Sequence, residues 1–189
     1  MARSGDPGDG DGDEGTTGKV RSLAMVPGPA QLPGTGWKVT RDRTWVTGEL
    51  DPDSEKSRRA REAGAVTAWR SFEQDATGRS AWVEVVPYAT PEDAELSLRQ
   101  SPKYFVGTDS PDEEVVAGAV IDDHPAGVPN AWIYEKSVAG PVGLRVSRYA
   151  AGTIDRVLFI ASCSGGEEDW HLDDLMTLAA LLAERVRAG

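Results

Sequence analysis

The chain has 189 residues, 31 acidic side chains against 20 lysines and arginines, a formal net charge of −11 and a sequence pI of about 4.6. That balance excludes a polyanion partner as the default, because nucleic acid is held by cations that neutralise phosphates and a net-negative chain repels it at long range. A single cysteine, Cys163, excludes an intramolecular disulfide and any multi-cysteine metal site. No stretch approaches the roughly 20 apolar residues that a transmembrane helix needs.

Residues 1–18 hold six of the 21 glycines, five acids (Asp6, Asp9, Asp11, Asp13, Glu14) against Arg3, and no aromatic residue. A segment with so little to bury is expected to stay disordered, since ordering its backbone costs about 1–2 kcal/mol per residue. Residues 19–36 carry Pro27, Pro29 and Pro33 and read as an irregular continuation. We therefore divide the chain into an acidic, Gly/Pro-rich arm over 1–35 and one domain over 36–189. That domain holds all six tryptophans and is long enough to bury about 68–70% of its unfolded surface. No basic region followed by an apolar run resembles an export leader: Leu23-Ala24-Met25-Val26 is stopped by Pro27. The chain as written reads as cytoplasmic, with the cell envelope as the alternative if an export signal has been removed.

Trp37–Thr40 and Thr44–Thr47 look like two short strands separated by Arg41-Asp42-Arg43. Asp51-Pro52-Asp53-Ser54 signals a helix start, predicting a helix over about Ser54–Ala63 that ends at Gly64. It has almost no apolar face, so it reads as a surface helix or a mobile loop. Its Lys56-Ser57-Arg58-Arg59-Ala60-Arg61 run is the only dense basic stripe, and Glu55 and Glu62 flank it. Ala65–Phe72 and Ala81–Val86 are β-rich and enclose Asp75-Ala76-Thr77-Gly78-Arg79. A three-residue loop with Gly78 in a bulge would place Phe72 opposite Trp82, Arg70 opposite Glu84 and Trp69 opposite Val85. Each favourable pair would be worth about 0.2–1 kcal/mol.

Thr90-Pro91-Glu92-Asp93 combines a capping threonine, a proline at the first helical position and first-turn acids, predicting a helix over Pro91–Gln100 that Pro102 ends. Residues 107–114 read as an acidic loop. Strands then return over Val115–Ile121, Ala131–Ala139, Val142–Tyr149 and Ile154–Cys163. Tyr149-Ala150-Ala151-Gly152-Thr153 reads as the last connection, opposing Val142 to Ile160 and Leu144 to Leu158 in a meander with one buried face. Gly165-Gly166 and three acids precede a terminal helix over about Asp169–Arg187. Its stripe of Leu172, Leu175, Met176, Ala179, Leu182 and Val186 must pack across the sheet.

Candidate chemistry is sparse. His124 in Asp123-His124-Pro125 has the form of an oriented base, but no Ser or Cys nucleophile can be assigned to it by spacing. His171 with Asp169, Asp173 and Asp174 has the residue types of a metal cluster, yet acids at a helix start also serve the helix dipole. Cys163 reads as a small buried hydrophobe. Ser162-Cys163-Ser164-Gly165-Gly166 evokes an anion nest, but Glu167, Glu168 and Asp169 would repel a phosphate. The pairs Asp122-Asp123 and Glu113-Glu114 make no dyad on a strand, where neighbours point to opposite faces. The expectation is no catalytic residue, no cofactor and no metal. The aromatic residues Trp69, Trp82, Tyr88, Trp132, Tyr134 and Tyr149 are the most suggestive set. They read first as sheet core and second as the lining of a site for an apolar ligand or a protein partner. Within one strand Trp132, Tyr134 and Lys136 share a face.

Gln31-Leu32-Pro33-Gly34-Thr35-Gly36-Trp37, the Thr-Pro-Glu-Asp-Ala helix start at Thr90, the meander and the Leu-rich terminal helix occur in an order that resembles small actinobacterial lipoproteins and kinase sensor domains of the LpqN and PsbP-like type. The resemblance covers about Leu32–Ala188. It implies an α+β fold with an antiparallel sheet, and a binding or sensing module at the cell envelope with no shared catalytic residues. The chain departs from that pattern in lacking a lipobox cysteine. The resulting expectation is a non-enzymatic module that recognises a protein or a small apolar ligand. The rival is a hydrolase-type or metal-dependent enzyme using His124 or the Asp169–Asp174 cluster with His171.

Overall fold

The computed structural model describes residues 21–49, 51–74, 77–106, 112–121, 131–141, 143–166 and 172–189. Seven antiparallel strands form one sheet: β1 (Trp37–Val46), β2 (Val66–Gln74), β3 (Arg79–Pro87), β4 (Glu114–Ile121), β5 (Trp132–Gly140), β6 (Gly143–Ile154) and β7 (Val157–Gly165). Their spatial order is β1-β2-β3-β7-β6-β5-β4. They are accompanied by α1 (Glu55–Glu62), α2 (Pro91–Gln100) and the long α3 (Leu172–Ala188), and residues 21–25 are also α-helical. The α+β expectation and the antiparallel sheet with its terminal helix are what the structure shows.

The terminal helix packs on β6 and β7 through Leu175, Leu178, Ala179, Leu182, Ala183 and Val186, all buried. They join Phe72, Val83, Val85, Ile133, Ala150, Phe159 and Cys163 in the main core. We call this side of the sheet the helix face. The other side carries a second, smaller core of Val86, Leu98, Ala151, Leu158 and Ile160, closed by α2. The expectation of one buried face is thus corrected: β7 is buried along nearly its whole length because helices press on both sides of it.

Four local readings are also corrected. First, Trp37–Val46 is one strand, not two; a bulge between Val39 and Arg41 absorbs the polar stretch, and pairing to β2 continues through Arg41-Asp42-Arg43. Second, the β2–β3 register differs by one residue from the expected one. Phe72 opposes Ala81, Ser71 opposes Trp82 and Trp69 opposes Glu84, because the strands end at Gln74 and resume at Arg79. Thr77 N–H bonds the Gln74 carbonyl at 3.2 Å, and Gly78 takes a φ of 69°, so the left-handed glycine is present in a longer loop. Third, Ala150-Ala151-Gly152 is not a turn. It lies inside β6, with Ala150 under α3 and Ala151 under α2, where only small side chains let two helices approach one strand. The reversal is made by Asp155-Arg156, with Asp155 at a φ of 50° in a two-residue connection.

Fourth, the irregular stretch contributes to the core. Residues 21–25 are helical, Pro29–Gln31 forms a 3-10 turn, and Met25, Val26, Leu32 and Trp37 are buried against α3 and the sheet. Arg185 donates to the Ala24 carbonyl at 2.6 Å and to Gln31 Oε1 at 2.7 Å. Three prolines among these residues hid apolar side chains that tertiary packing uses. The first 18 residues, expected to be disordered, lie outside the described residues.

The weakly apolar α1 is a helix held mainly by polar contacts. Arg59 forks onto Asp93 at 2.5 and 3.0 Å, Lys56 donates to Ser97 and Gln100, and Arg61 donates to the Gly48 and Pro52 carbonyls. Gly48, at a φ of 84°, lets the chain pass so close that a Cβ would stand 2.5 Å from Ser57 Cβ. The basic stripe is therefore engaged within the protein.

Candidate functional site

Strand alternation places Trp82, Glu84 and Val86 on the side opposite the helix face, since Ala81, Val83 and Val85 fill the main core. Register then assembles that side strand by strand. Trp69 on β2 stands opposite Glu84, and Ile160 on β7 stands opposite it on the other flank. Trp82 opposes Ser162, which in turn opposes Tyr149, which opposes Tyr134. The helix α2 covers part of this side and is tied to α1 by the Arg59–Asp93 pair. Asp93 is held below the usual carboxylate range by that guanidinium.

After α2 the chain makes a 3-10 turn over Ser101–Tyr104 and inserts Phe105 into the aromatic residues. Phe105 lies 4.5 Å from Tyr149, 5.6 Å from Trp132 and 6.4 Å from Trp82 between ring centroids. Trp82 and Tyr149 are 6.2 Å apart, and Tyr134 and Tyr149 are 6.3 Å apart. These are ordinary spacings for tilted and offset rings. Trp132 donates its indole N–H to the Leu98 carbonyl at 3.1 Å, and Lys136 lies over Tyr149 at 5.5 Å. The expected shared face of Trp132, Tyr134 and Lys136 is present.

Two polar groups stand out within this surround. The Glu84 side chain is half-buried, and burial pushes its carboxyl up from an ordinary 4.5 to about 7. The Ser162 hydroxyl is buried without a partner among the described residues. Neighbouring hydroxyls on the same side are paired, Ser147 with Ser164 at 2.8 Å and Thr47 with Thr67 at 2.9 Å. Glu84 and Ser162 are diagonal neighbours across β3 and β7, their Cα atoms roughly 7–8 Å apart.

Sequence reasoning missed Glu84 and Ser162 as site residues for one reason. The expected register gave Glu84 an ion pair with Arg70, whereas Arg70 points to the helix face and bonds Asp42 at 2.6 Å. A slip of one residue moves a strand's partners to the opposite face. Phe105 carried no signal, because its place depends on the turn after α2.

His124, His171, Asp169 and the Asp122-Asp123 pair lie outside the described residues. Asp174 pairs with Arg79 at 3.2 Å, and Glu113 with Arg145 at 3.1 Å. Cys163 is buried on the helix face, away from Ser162, and burial followed by Asp174 raises its thiol well above the ordinary range despite Arg79 and Arg148. Among the described residues no group of three or more His, Cys, Asp and Glu is placed to hold a metal ion. Nor is any described helix long and apolar enough to cross a membrane.

A separate groove of about 760 Å³ opens at the end of the sheet, where the β6–β7 turn meets the end of α3. Arg21, Tyr88, Asp155, Arg156 and Arg187 line it. Neither Glu84 nor Ser162 lines it.

No family model and no curated protein sequence matches the chain. Its fold is similar to the crystal structure of the extracellular domain of PknH from Mycobacterium tuberculosis, with a TM-score of 0.62 at 12% identity over 90% of this chain and 96% of that one. An uncharacterised Mycobacterium smegmatis protein, the Rv0999 ortholog, aligns over 94% of this chain and 98% of its own with a TM-score of 0.44 at 13% identity. The first likeness shows a shared fold and agrees with the kinase-sensor part of the sequence resemblance.

Proposed function

We propose that this chain is a non-enzymatic binding or sensor-like module that seats a small ligand with an apolar ring on the aromatic side of its sheet. The carrying observation is the Ser162 hydroxyl, buried without a partner among the described residues and set opposite Trp82 and Tyr149, with the half-buried Glu84 diagonal to it and opposite Trp69. Leaving a buried polar group unpaired costs about 1–3 kcal/mol. Such groups concentrate where a partner arrives from outside. The fold shared with a kinase's extracellular sensor domain supports the class of function and is silent on the ligand. The finer likeness to LpqN and PsbP-like proteins belongs to the same proposal. Titration with benzyl alcohol, followed by tryptophan fluorescence and amide chemical shifts, tests it. Saturable shifts at Trp82, Tyr149 and Ser162 that weaken about tenfold in Trp82→Ala are expected. Shifts confined to the groove of Arg21, Arg156 and Arg187, or none at all, overturn the proposal.

A further inference from the structure

The groove at the end of the sheet gathers three arginines from distant parts of the chain. Arg21 lies in the helical stretch 21–25, Arg156 on the β6–β7 turn and Arg187 in the last turn of α3, and all three are exposed. Elsewhere in the fold arginines meet carboxylates, as Arg59 meets Asp93, Arg70 meets Asp42 and Arg148 meets Glu135. Neither Arg21 nor Arg156 is paired with a carboxylate side chain of a described residue. Arg21 Nε donates to the Gly189 carbonyl oxygen at 2.8 Å, which holds it at the groove and leaves its two Nη groups to a ligand. Tyr88 N–H donates to the Arg156 carbonyl at 2.8 Å and so fixes the backbone that carries the second guanidinium. Arg187 also serves the dipole at the end of α3, a role that Arg156 does not have. Asp155 is the one acidic side chain that lines the groove.

The walls supply apolar surface from Met25, Val66, Ile154 and Val186. A volume of about 760 Å³ falls within the range of about 300–1,000 Å³ usual for small-molecule sites. Guanidinium groups bind carboxylates through charge-assisted, often bidentate hydrogen bonds. We infer that this groove is a second site, separate from the aromatic side, and that it takes an amphipathic organic anion: a carboxylate held by Arg21, Arg156 and Arg187 on an apolar body laid against those walls. The chain carries a net charge of −11, so an anion is drawn to it only where cations cluster locally.

The test titrates the full chain with decanoate, 1-decanol and acetate and follows amide chemical shifts. Decanoate is expected to give saturable shifts at Val66, Ile154, Arg156 and Val186 and to bind at least about tenfold more tightly than 1-decanol. Acetate, the head group without the body, should bind at least about tenfold more weakly than decanoate. The preference for decanoate over 1-decanol should vanish in the double variant Arg21→Gln with Arg156→Gln, with 1-decanol binding unchanged; circular dichroism and thermal melting verify its fold. The natural chain gives a second reading, since that preference should shrink as ionic strength rises from about 0.02 to about 0.5 M. Equal binding of decanoate and 1-decanol, or a preference that survives in the folded variant or at high salt, overturns the anion. Acetate binding as tightly as decanoate overturns the apolar body. Decanoate shifts confined to Trp82, Tyr149 and Ser162, or none, overturn the second site and leave the function proposed above standing on its own test.

Discussion

Glu84 shows how a single side chain can set the pH response of a small domain. Burial disfavours the charged form and pushes its carboxyl up to about 7. Below its unfolded value near 4.5 both states are protonated, and its contribution to stability is complete. As pH rises towards 7 the unfolded chain ionises while the folded one keeps its proton, so stability falls; above 7 the loss is complete, on the order of 3 kcal/mol. Glu84→Gln should therefore melt higher than the natural chain at pH 8, and the gap should close near pH 4.5. A variant that melts lower at both pH values would show that the carboxyl has a favourable partner. Cys163 makes the contrasting case. Its residue type and apolar strand were enough to read it as a buried hydrophobe, and it is 1% exposed.

At the scale of elements, helices with strong end signals were legible and strand pairings were not. Thr90 caps α2 as expected, its hydroxyl accepting from Asp93 N–H at 3.2 Å, and Pro91 opens the helix. Thr90→Ala should cost about 1 kcal/mol, read as a lower midpoint in urea with an unchanged slope. A larger loss would mean that α2 carries more of the smaller core than its cap implies. The hairpins failed for a common reason. Glycine and short polar runs were read as turns, and the charge pair Arg70–Glu84 then seemed to select the register. In the fold, Asp42 on β1 takes Arg70 at 2.6 Å, a partner no local reading of two strands could supply. Gly152 sits opposite Phe159 in β6 for a packing reason that belongs to the helices above and below it.

For the whole molecule, the decisive feature is a central strand, β7, buried on both sides, with Phe159 on its helix face fully enclosed. Phe159→Ala should cost about 3–5 kcal/mol, measured by denaturant unfolding, because it opens a cavity between β7 and α3 that neither can collapse into. A cost below about 1 kcal/mol would contradict that packing. Pattern set the class: the β-rich segments and the 3.6-residue stripe of the terminal helix together read as an α+β domain closed by that helix. Periodicity also placed most strands, because alternation is a property of the chain itself. Which residue faces which across two strands is not such a property. It is settled by the third strand, by the helix pressing from each side, and by the length of a loop. The candidate site depends on those long-range choices, since they set Glu84 opposite Trp69 and Ser162 between Trp82 and Tyr149.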